Sequence, residues 1–135
     1  MKTPNEIVDI MLSHDLFSKW MGIKLDQLGI GFCTVSCEVH EDMLNGFAIL
    51  HGGITYSLSD SALAFASNSY GYKCVSIETS ISHLRPVVLG EKLTAKCVEI
   101  SRRKTIGIYT VDIFNNQQKL VSKFKGTVNI SKDIW

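Results

Sequence analysis

The segment Asn45-Gly46-Phe47-Ala48-Ile49-Leu50-His51-Gly52-Gly53 runs directly into a stretch of small and apolar residues, Ile54 to Tyr70. The second stretch is rich in alanine and serine, and Asp60 is its only charged residue. Its length and its alanines predict a helix, and a helix that is small or apolar on every side is a buried one. Gly71 is the predicted C-cap. We therefore expect one central buried helix, entered through a loop that ends in two glycines.

An amphipathic helix is predicted at the beginning of the chain. Thr3-Pro4-Asn5-Glu6 combines a capping residue, a proline at the first helical position and a glutamate three residues after the cap. Apolar residues then recur every three to four positions, which predicts a helix over residues 4–20 with a break near His14. Gly22 is expected to end it.

Strands are predicted on both sides of the central helix. One or two precede it, and Phe32–His40 shows the alternation of a half-buried strand. Four strands follow it, separated by turn signals, at residues 74–84, 91–101, 105–114 and 119–130. A sheet of this kind leaves two edges, and the strand near 105–113 carries apolar residues on both faces, so dimerisation is expected to cover the surplus.

Length and composition set the class of protein. The chain has 135 residues, of which 45% are hydrophobic and 20% charged, close to globular averages. We expect residues 1–135 to form a single domain of the α+β class, with an antiparallel sheet curled around one helix. The 14 basic and 13 acidic residues give a net charge of +1, which argues against a nucleic-acid partner.

The chain lacks the signals of a membrane or secreted protein. No stretch approaches the ~18 apolar residues of a membrane span, and no basic segment precedes an apolar run as in a signal peptide. The four cysteines are spaced singly and next to apolar residues, which favours buried reduced thiols in the cytoplasm over a metal site: Cys33, Cys37, Cys74 and Cys97. No metal or cofactor is expected.

The residues at the start of the central helix point to acyl-transfer chemistry. Gly52 and Gly53 leave backbone N–H groups at a helix N-terminus with nothing bulky in front of them, which suits an oxyanion or a polarised carbonyl. Asp60 lies two turns further along the same helix. A carboxylate near an oxyanion site can activate water or attack an activated acyl group. A helix-start turn and a structural carboxylate are the alternative interpretations.

Taken together, His51-Gly52-Gly53, Asp60 and the later Leu84-Arg85-Pro86 resemble the hotdog-fold acyl-CoA thioesterases, and more narrowly the PaaI-like group of the phenylacetate pathway. The resemblance covers nearly the whole chain. It implies a hotdog fold, in which an antiparallel sheet wraps around one long central helix. It also implies hydrolysis of a small CoA thioester, aryl or short to medium acyl, by a homodimer or a dimer of dimers, without a cofactor.

The resemblance also implies roles for individual residues. Asp60 matches the general base or nucleophile, and the backbone N–H of Gly52 matches the donor to the thioester carbonyl. Asn45 and His51 match groups that orient the thioester, and Ser76 matches a hydroxyl that holds the acid or the water. In the family, Gly52 and Asn45 come from one subunit and Asp60 and Ser76 from its partner. His51 could equally fix the loop, and Ser76 could be an ordinary strand serine.

Two residues of the loop depart from the family pattern. Ala48 stands where members often have glycine, and it would be strained if the loop needs a positive φ there. The bulky Phe47 beside it is expected to reshape the loop. The acyl pocket is expected to draw on the apolar residues Phe47, Leu50, Tyr56 and Phe65.

Further residues are candidates for CoA binding, each with a structural alternative. Besides Gly53 they are the basic residues Arg85, Arg102, Arg103 and Lys104. Arginine forks bind phosphates well, but basic turns are also common as solvated hairpin tips, and Arg85 stands where a strand ends. The isolated histidines are interpreted as structural: His14, His40 and His83.

Two other functions use the same fold. One is a non-catalytic acyl-CoA-binding module, which would not need the carboxylate that Asp60 supplies. The other is a hotdog hydratase or dehydratase, which needs a catalytic histidine poised with an acid and lacks the His-Gly-Gly spacing. The sequence favours the thioesterase and leaves open whether Asp60 activates water or forms an anhydride.

Overall fold

The computed structural model describes residues 1–135 and consists of one antiparallel sheet wrapped around a long helix. The helices are α1 (Pro4–His14), α2 (Leu16–Met21) and α3 (Gly52–Asn68), with a short 3-10 helix at Glu41–Met43. The strands are β1 (Lys24–Gly29), β2 (Phe32–Glu38), β3 (Tyr72–His83), β4 (Lys92–Arg102), β5 (Ile106–Phe114) and β6 (Leu120–Ile134). The predicted class and architecture are confirmed.

The N-terminal segment forms as its capping signals predict. The Thr3 hydroxyl accepts from the Glu6 N–H, and the Glu6 carboxylate accepts from the Thr3 N–H, so the capping box is complete. The predicted break falls at Asp15, whose carboxylate caps α2 by accepting from the Ser18 N–H at 2.9 Å. Gly22 ends α2 in the left-handed conformation, as expected.

The central helix is buried because its small residues let it lie close to the sheet. Leu58, Ala62, Leu63 and Ala66 are all buried in the core between α3 and the strands. A Cβ added at Gly126 in β6 would lie 2.4 Å from the Leu63 side chain, so the closest approach of helix and sheet requires glycine at that position. The helix therefore has a fixed position over the strands, and this fixes the placement of its N-terminus.

The end of α3 differs from the prediction that Gly71 is its C-cap. Asn68 is the last helical residue and Ser69 is the C-cap, in right-handed geometry. The Asn68 side chain ends the helix by accepting from the Cys74 N–H at 2.9 Å and donating to the Cys74 carbonyl. Gly71 supplies its positive φ of 93° two residues later, where the chain turns into β3.

The sheet has the strand order β1-β2-β4-β5-β6-β3, and every neighbouring pair is antiparallel. The predicted strand over 105–114 is therefore internal: β5 buries one face against α3 and keeps a half-buried outer face. The surplus apolar surface lies elsewhere, on the edge strand β3, where Val75 is 65% and Ile77 57% exposed. The other edge, β1, carries the exposed charges of Lys24 and Asp26 and a bulge, which protect an edge from pairing.

Candidate active site

The loop before α3 is held together by Asn45. Its side-chain oxygen accepts from the N–H of Phe47 at 2.9 Å and of Ile49 at 3.4 Å, and its own N–H donates to the Ile49 carbonyl. Within this turn Ala48 has a φ of +58°, so the residue that departs from the family pattern does occupy a glycine-type conformation. Phe47 points outward and is 86% exposed. Asn45 thus shapes the loop through its oxygen, while its side-chain NH₂ has no acceptor in the chain.

His51 is the N-cap of α3. Its Nδ1 accepts from the Gly53 N–H at 2.8 Å, and its backbone N–H donates to the Met43 carbonyl. The N–H of Gly53 is therefore used inside the chain, which favours the loop-fixing interpretation of His51. The N–H of Gly52 has no acceptor in the chain. It is the free donor at the positive end of a 17-residue helix, where an oxyanion is stabilised.

A groove of about 410 Å³ opens in front of Gly52. Its walls are largely apolar, and Arg85 adds a cation; the lining residues are Ile49, Leu50, Gly52, Thr55, His83, Leu84, Arg85, Pro86, Val87 and Val121. The groove can hold a flexible, mostly apolar chain with a polarised carbonyl at Gly52 and an anion near Arg85.

His83 belongs to this groove, so its interpretation as an isolated histidine is wrong. A Cβ added at Gly52 would lie 3.0 Å from Nε2 of His83, and the Nδ1 of His83 lies 3.3 Å from the hydroxyl of Thr55. One signal in the sequence points to this place, because His83 stands immediately before the Leu84-Arg85-Pro86 segment of the family motif.

Asp60 faces a second cleft. This cleft, of about 220 Å³, is lined by Asp60, Leu63, Ala64, Ser67, Cys74, Val75, Ser76 and Val128. The Asp60 carboxylate is part-buried and has no hydrogen bond or ion pair in the chain. Burial raises the pKa of the Asp60 carboxyl above its ordinary value. The structure therefore brings Asp60 and Ser76 together, and no residue of this cleft also lines the groove of Gly52.

The basic turn after β4 divides into two parts. Arg102 folds back: its guanidinium lies 4.0 Å from the ring centre of Tyr70 and donates to the Tyr109 hydroxyl at 3.3 Å and the Ser67 carbonyl at 3.4 Å. Tyr109 in turn donates to Glu99 at 2.8 Å, and burial raises its pKa. Arg102 thus has partners in the core, unlike the exposed residues that follow it.

Arg103 and Lys104 are exposed and border a third cleft, of about 360 Å³. Four of its seven lining residues are basic; the set is Tyr72, Arg102, Arg103, Lys104, Ile130, Ser131 and Lys132. No carboxylate lines this cleft, so it presents a concentration of positive charge suited to phosphates.

The expected acyl-pocket residues do not form one group. Leu50 lines the Gly52 groove, but Phe65 is 1% exposed and belongs to the core, so its assignment to a pocket is wrong. Tyr56 packs edge-to-face on Phe124, with ring centres 5.6 Å apart, and its hydroxyl bonds to Thr79. Helical spacing alone did not distinguish the face of α3 that packs on the sheet from the face that borders the clefts.

Two further properties of the structure bear on other classes of function. No group of three or more His, Cys, Asp or Glu side chains is arranged to hold a metal ion. None of the helices has the length and apolar character needed to cross a membrane.

Comparison with known proteins identifies the family. Residues 47–122, more than half of the chain, match the family described as the thioesterase superfamily. The acyl-coenzyme A thioesterase PaaI of Escherichia coli K12 is 39% identical over 116 residues, covering 86% of this chain and 83% of that protein. The structure of E. coli PaaI superposes with a TM-score of 0.94 at 34% identity, covering 97% of this chain and 95% of the other.

A thioesterase-like protein of Streptococcus pneumoniae, whose structure was solved with coenzyme A, superposes with a TM-score of 0.81 at 25% identity. That superposition covers 84% of this chain and 88% of the other. The loop, the free N–H of Gly52 and the carboxylate of Asp60 thus belong to a fold shared with known thioesterases. By sequence and by structure, this chain is a member of the thioesterase superfamily, with the hotdog fold and a close similarity to PaaI.

Proposed function

We propose that the protein is an acyl-CoA thioesterase that hydrolyses a CoA thioester to a free acid and CoA. The observation that carries this proposal is that one chain holds two unpartnered groups. They are the free N–H of Gly52 at the start of α3 and the part-buried carboxylate of Asp60. The first group suits the oxygen of a thioester carbonyl, and the second suits proton transfer or nucleophilic attack. The similarity to E. coli PaaI supports the same reaction.

The reaction has a simple balance of bonds and charge. Water attacks the carbonyl carbon and passes a proton to Asp60, while the N–H of Gly52 stabilises the negative charge that develops on oxygen. The C–S bond then breaks, and the CoA sulfur leaves and takes up a proton. In the alternative route Asp60 itself attacks, CoA leaves, and water hydrolyses the resulting anhydride. Both routes need the same two groups close together.

Because Gly52 and Asp60 open into different clefts of one chain, we propose that the active unit is a homodimer. The edge strand β3 supports this proposal, since an exposed edge with apolar Val75 and Ile77 can pair with a second copy of itself. Such a pairing would bring Ser76 to the subunit boundary and allow Asp60 of a second copy to face Gly52. We also propose a dimer of dimers, since further apolar surface is exposed on the outer side of the sheet at Phe32, Val98 and Ile100.

We propose that the basic cleft binds the phosphates of CoA. Arg103, Lys104 and Lys132 supply exposed charge there, and Arg102 supports the wall of the cleft from its site on Tyr70. Arg85 in the Gly52 groove is a second phosphate candidate. The acyl group is proposed to be small, aryl or short to medium in length, because the cleft next to Asp60 is only about 220 Å³.

We further propose that the protein works in the cytoplasm and without a nucleic-acid partner. All four cysteines are free and buried, which suits a reducing compartment, and the net charge of +1 provides no general attraction for a polyanion.

The direct test is to incubate the purified protein with a panel of acyl-CoAs and a thiol reagent. Release of free CoA is the expected result, with the largest kcat/KM for small acyl groups. Binding of acyl-CoA without release would instead indicate a binding module. Loss of enoyl absorbance without a free thiol would indicate a hydratase or dehydratase.

A further inference from the structure

We propose that His83 is a substrate-positioning residue whose Nε2 accepts a hydrogen bond from the amide N–H of the cysteamine unit of CoA. This inference rests on the proposed function, because it takes the Gly52 N–H as the donor to the thioester oxygen. The cysteamine amide lies two methylene groups beyond the thioester sulfur. It is the nearest hydrogen-bond donor that every CoA thioester carries.

The contacts of Thr55 determine which nitrogen of His83 holds the proton. The Thr55 hydroxyl lies 3.0 Å from the carbonyl oxygen of Gly52 and 3.3 Å from Nδ1 of His83. A carbonyl oxygen can only accept, so the single hydroxyl proton goes to the shorter contact, and Thr55 must accept from an Nδ1–H of His83. In the neutral ring the other nitrogen, Nε2, then carries a lone pair and is an acceptor.

The position of Nε2 places this lone pair next to the reacting group. It lies 3.0 Å from the point that a Cβ of Gly52 would occupy. Since the N and Cβ atoms of one residue are about 2.5 Å apart, Nε2 lies within about 5.5 Å of the Gly52 nitrogen. No donor in the chain bonds to Nε2, and His83 is exposed to the groove. A thioester held by Gly52 therefore lies beside an acceptor that lacks a protein donor.

The rest of the groove is suited to the same part of CoA. Leu50, Leu84 and Val87 provide an apolar wall for methylene groups, and Arg85 provides a cation toward the anionic end of CoA. A polar acceptor in such a wall fixes the position of the bound CoA along the groove. Apolar contacts alone would allow the CoA to slide, whereas a directional hydrogen bond does not.

The test compares two substrates that differ in one atom. An acyl N-acetylcysteamine thioester carries the N–H, and its analogue with an ester oxygen in place of the N–H does not. At pH 8, His83→Phe, which keeps a ring and removes the acceptor, is expected to lower kcat/KM for the amide substrate about three- to tenfold, the value of one neutral hydrogen bond. The ester analogue has no proton to donate to Nε2, so its kcat/KM should not fall in the same variant.

His83→Gln serves as the matched control, because its amide oxygen can reach the place of Nε2 and restore most of the activity on the amide substrate. An equal loss on both substrates in His83→Phe, or no loss on either, would overturn the proposal. Failure of the wild-type protein to hydrolyse any thioester would instead count against the proposed function, so the two failures are distinguishable.

A second measurement does not depend on catalysis. The ¹⁵N NMR spectrum of the wild-type protein, assigned by comparison with His83→Gln, is expected to show the Nδ1–H tautomer of His83. Saturation with CoA, which carries the same amide, should shift the Nε2 resonance. The opposite tautomer, or an Nε2 resonance that does not respond to CoA, would overturn the proposal.

Discussion

The two clefts that border α3 are built in different ways. The groove in front of Gly52 is organised by local contacts: Asn45 shapes the loop, His51 caps the helix, and the Gly52 N–H at the start of the helix is left without an acceptor. The cleft of Asp60 combines residues from α3 and β3, and its carboxylate has no partner at all. The groove of Gly52 is therefore preorganised by contacts within the chain, whereas the Asp60 carboxylate has no hydrogen-bond or ion-pair partner within the chain.

This difference between the clefts is the basis of the proposed homodimer. The N–H donor and the carboxylate lie on the same helix but are separated by two turns, and they open into different clefts. In the proposed homodimer, the N–H donor of one copy and the carboxylate of the other would meet through pairing of the two β3 strands. Variants in each cleft can test whether the two clefts act as two halves of one site.

The largest expected effect is that of Asp60→Asn. The amide keeps the shape of the side chain but can neither take a proton nor attack, so kcat should fall about 10²- to 10⁴-fold while acyl-CoA still binds. Steady-state kinetics and a binding titration measure the two quantities. Asp26→Asn, on the exposed β1 edge, is the matched control and should keep full activity. A wild-type kcat in Asp60→Asn would remove Asp60 from the mechanism.

Mixing two inactive variants tests the shared site. Gly52→Val should lower kcat and raise KM, because its side chain enters the groove and meets the His83 ring 3.0 Å from the Cβ position. In a random mixture with Asp60→Asn, half of the dimers are mixed, and each mixed dimer holds one intact site of two. Activity should return to about one quarter of the wild-type value. Subunits that exchange freely without any recovery would show that each chain carries a complete site.

The sequence allowed different degrees of prediction in the two regions. The glycine pair and Asp60 both lie within the 17 residues of the helix, so a local pattern is sufficient to find them. Position 48 was also correctly singled out, because its φ is positive. The contact between Gly52 and His83 joins residues 31 positions apart, and only the placement of β3 beside the start of α3 reveals it.

Other features depended on packing and could not be read from spacing. The strand β1 is short, carries charges and lacks a clear alternation, so the sequence indicated one or two strands before the central helix. Residue type alone predicts a pocket residue at Phe65 and a phosphate ligand at Arg102, whereas the structure places Phe65 in the core and Arg102 on the ring of Tyr70. The sequence does not show which side of a helix or strand faces the sheet, and this accounts for both differences.

Variants of the basic turn after β4 test whether the binding site extends beyond the two clefts to the basic cleft. Changing Arg103 and Lys104 together to Gln should raise KM for acyl-CoA several-fold with little change in kcat, because phosphates bind alike in the ground and transition states. The effect should shrink as salt rises. An acyl-pantetheine, which lacks the nucleotide, should not respond to the change. Equal losses on both substrates would indicate a role in folding or assembly.

Arg102→Gln provides the contrast to the exposed pair. It removes the contact with Tyr70 and the donor to the buried Tyr109 hydroxyl, so it should lower the free energy of unfolding by about 1–3 kcal/mol. Denaturant unfolding measures this loss.

The burial of Asp60 gives a prediction about stability and pH. Its pKa is raised in the folded chain, so the ionised carboxylate destabilises the folded state at pH values above that pKa. The penalty disappears as pH falls through the folded pKa and below the unfolded value near 3.9, because both states are then protonated. Asp60→Asn should therefore be more stable than wild type at pH 7, with a difference that shrinks toward pH 4. A variant that is less stable at pH 7 would show that a partner stabilises the ionised carboxylate.

The smallest effect concerns the loop that shapes the preorganised half of the site. Ala48 and Gln118 are the two non-glycine residues with a positive φ, at 58° and 60°, and they lie in the loop before α3 and in the hairpin between β5 and β6. A left-handed conformation costs an L-residue about 1–2 kcal/mol, whereas glycine adopts it freely but adds entropy to the unfolded chain worth about 0.4–1 kcal/mol. Each substitution to glycine should thus stabilise the fold by about 0.5 kcal/mol, as measured by denaturant unfolding. Only Ala48→Gly should also alter KM, because its loop leads to Gly52, and equal kinetics in the two variants would show that the loop conformation does not depend on residue 48.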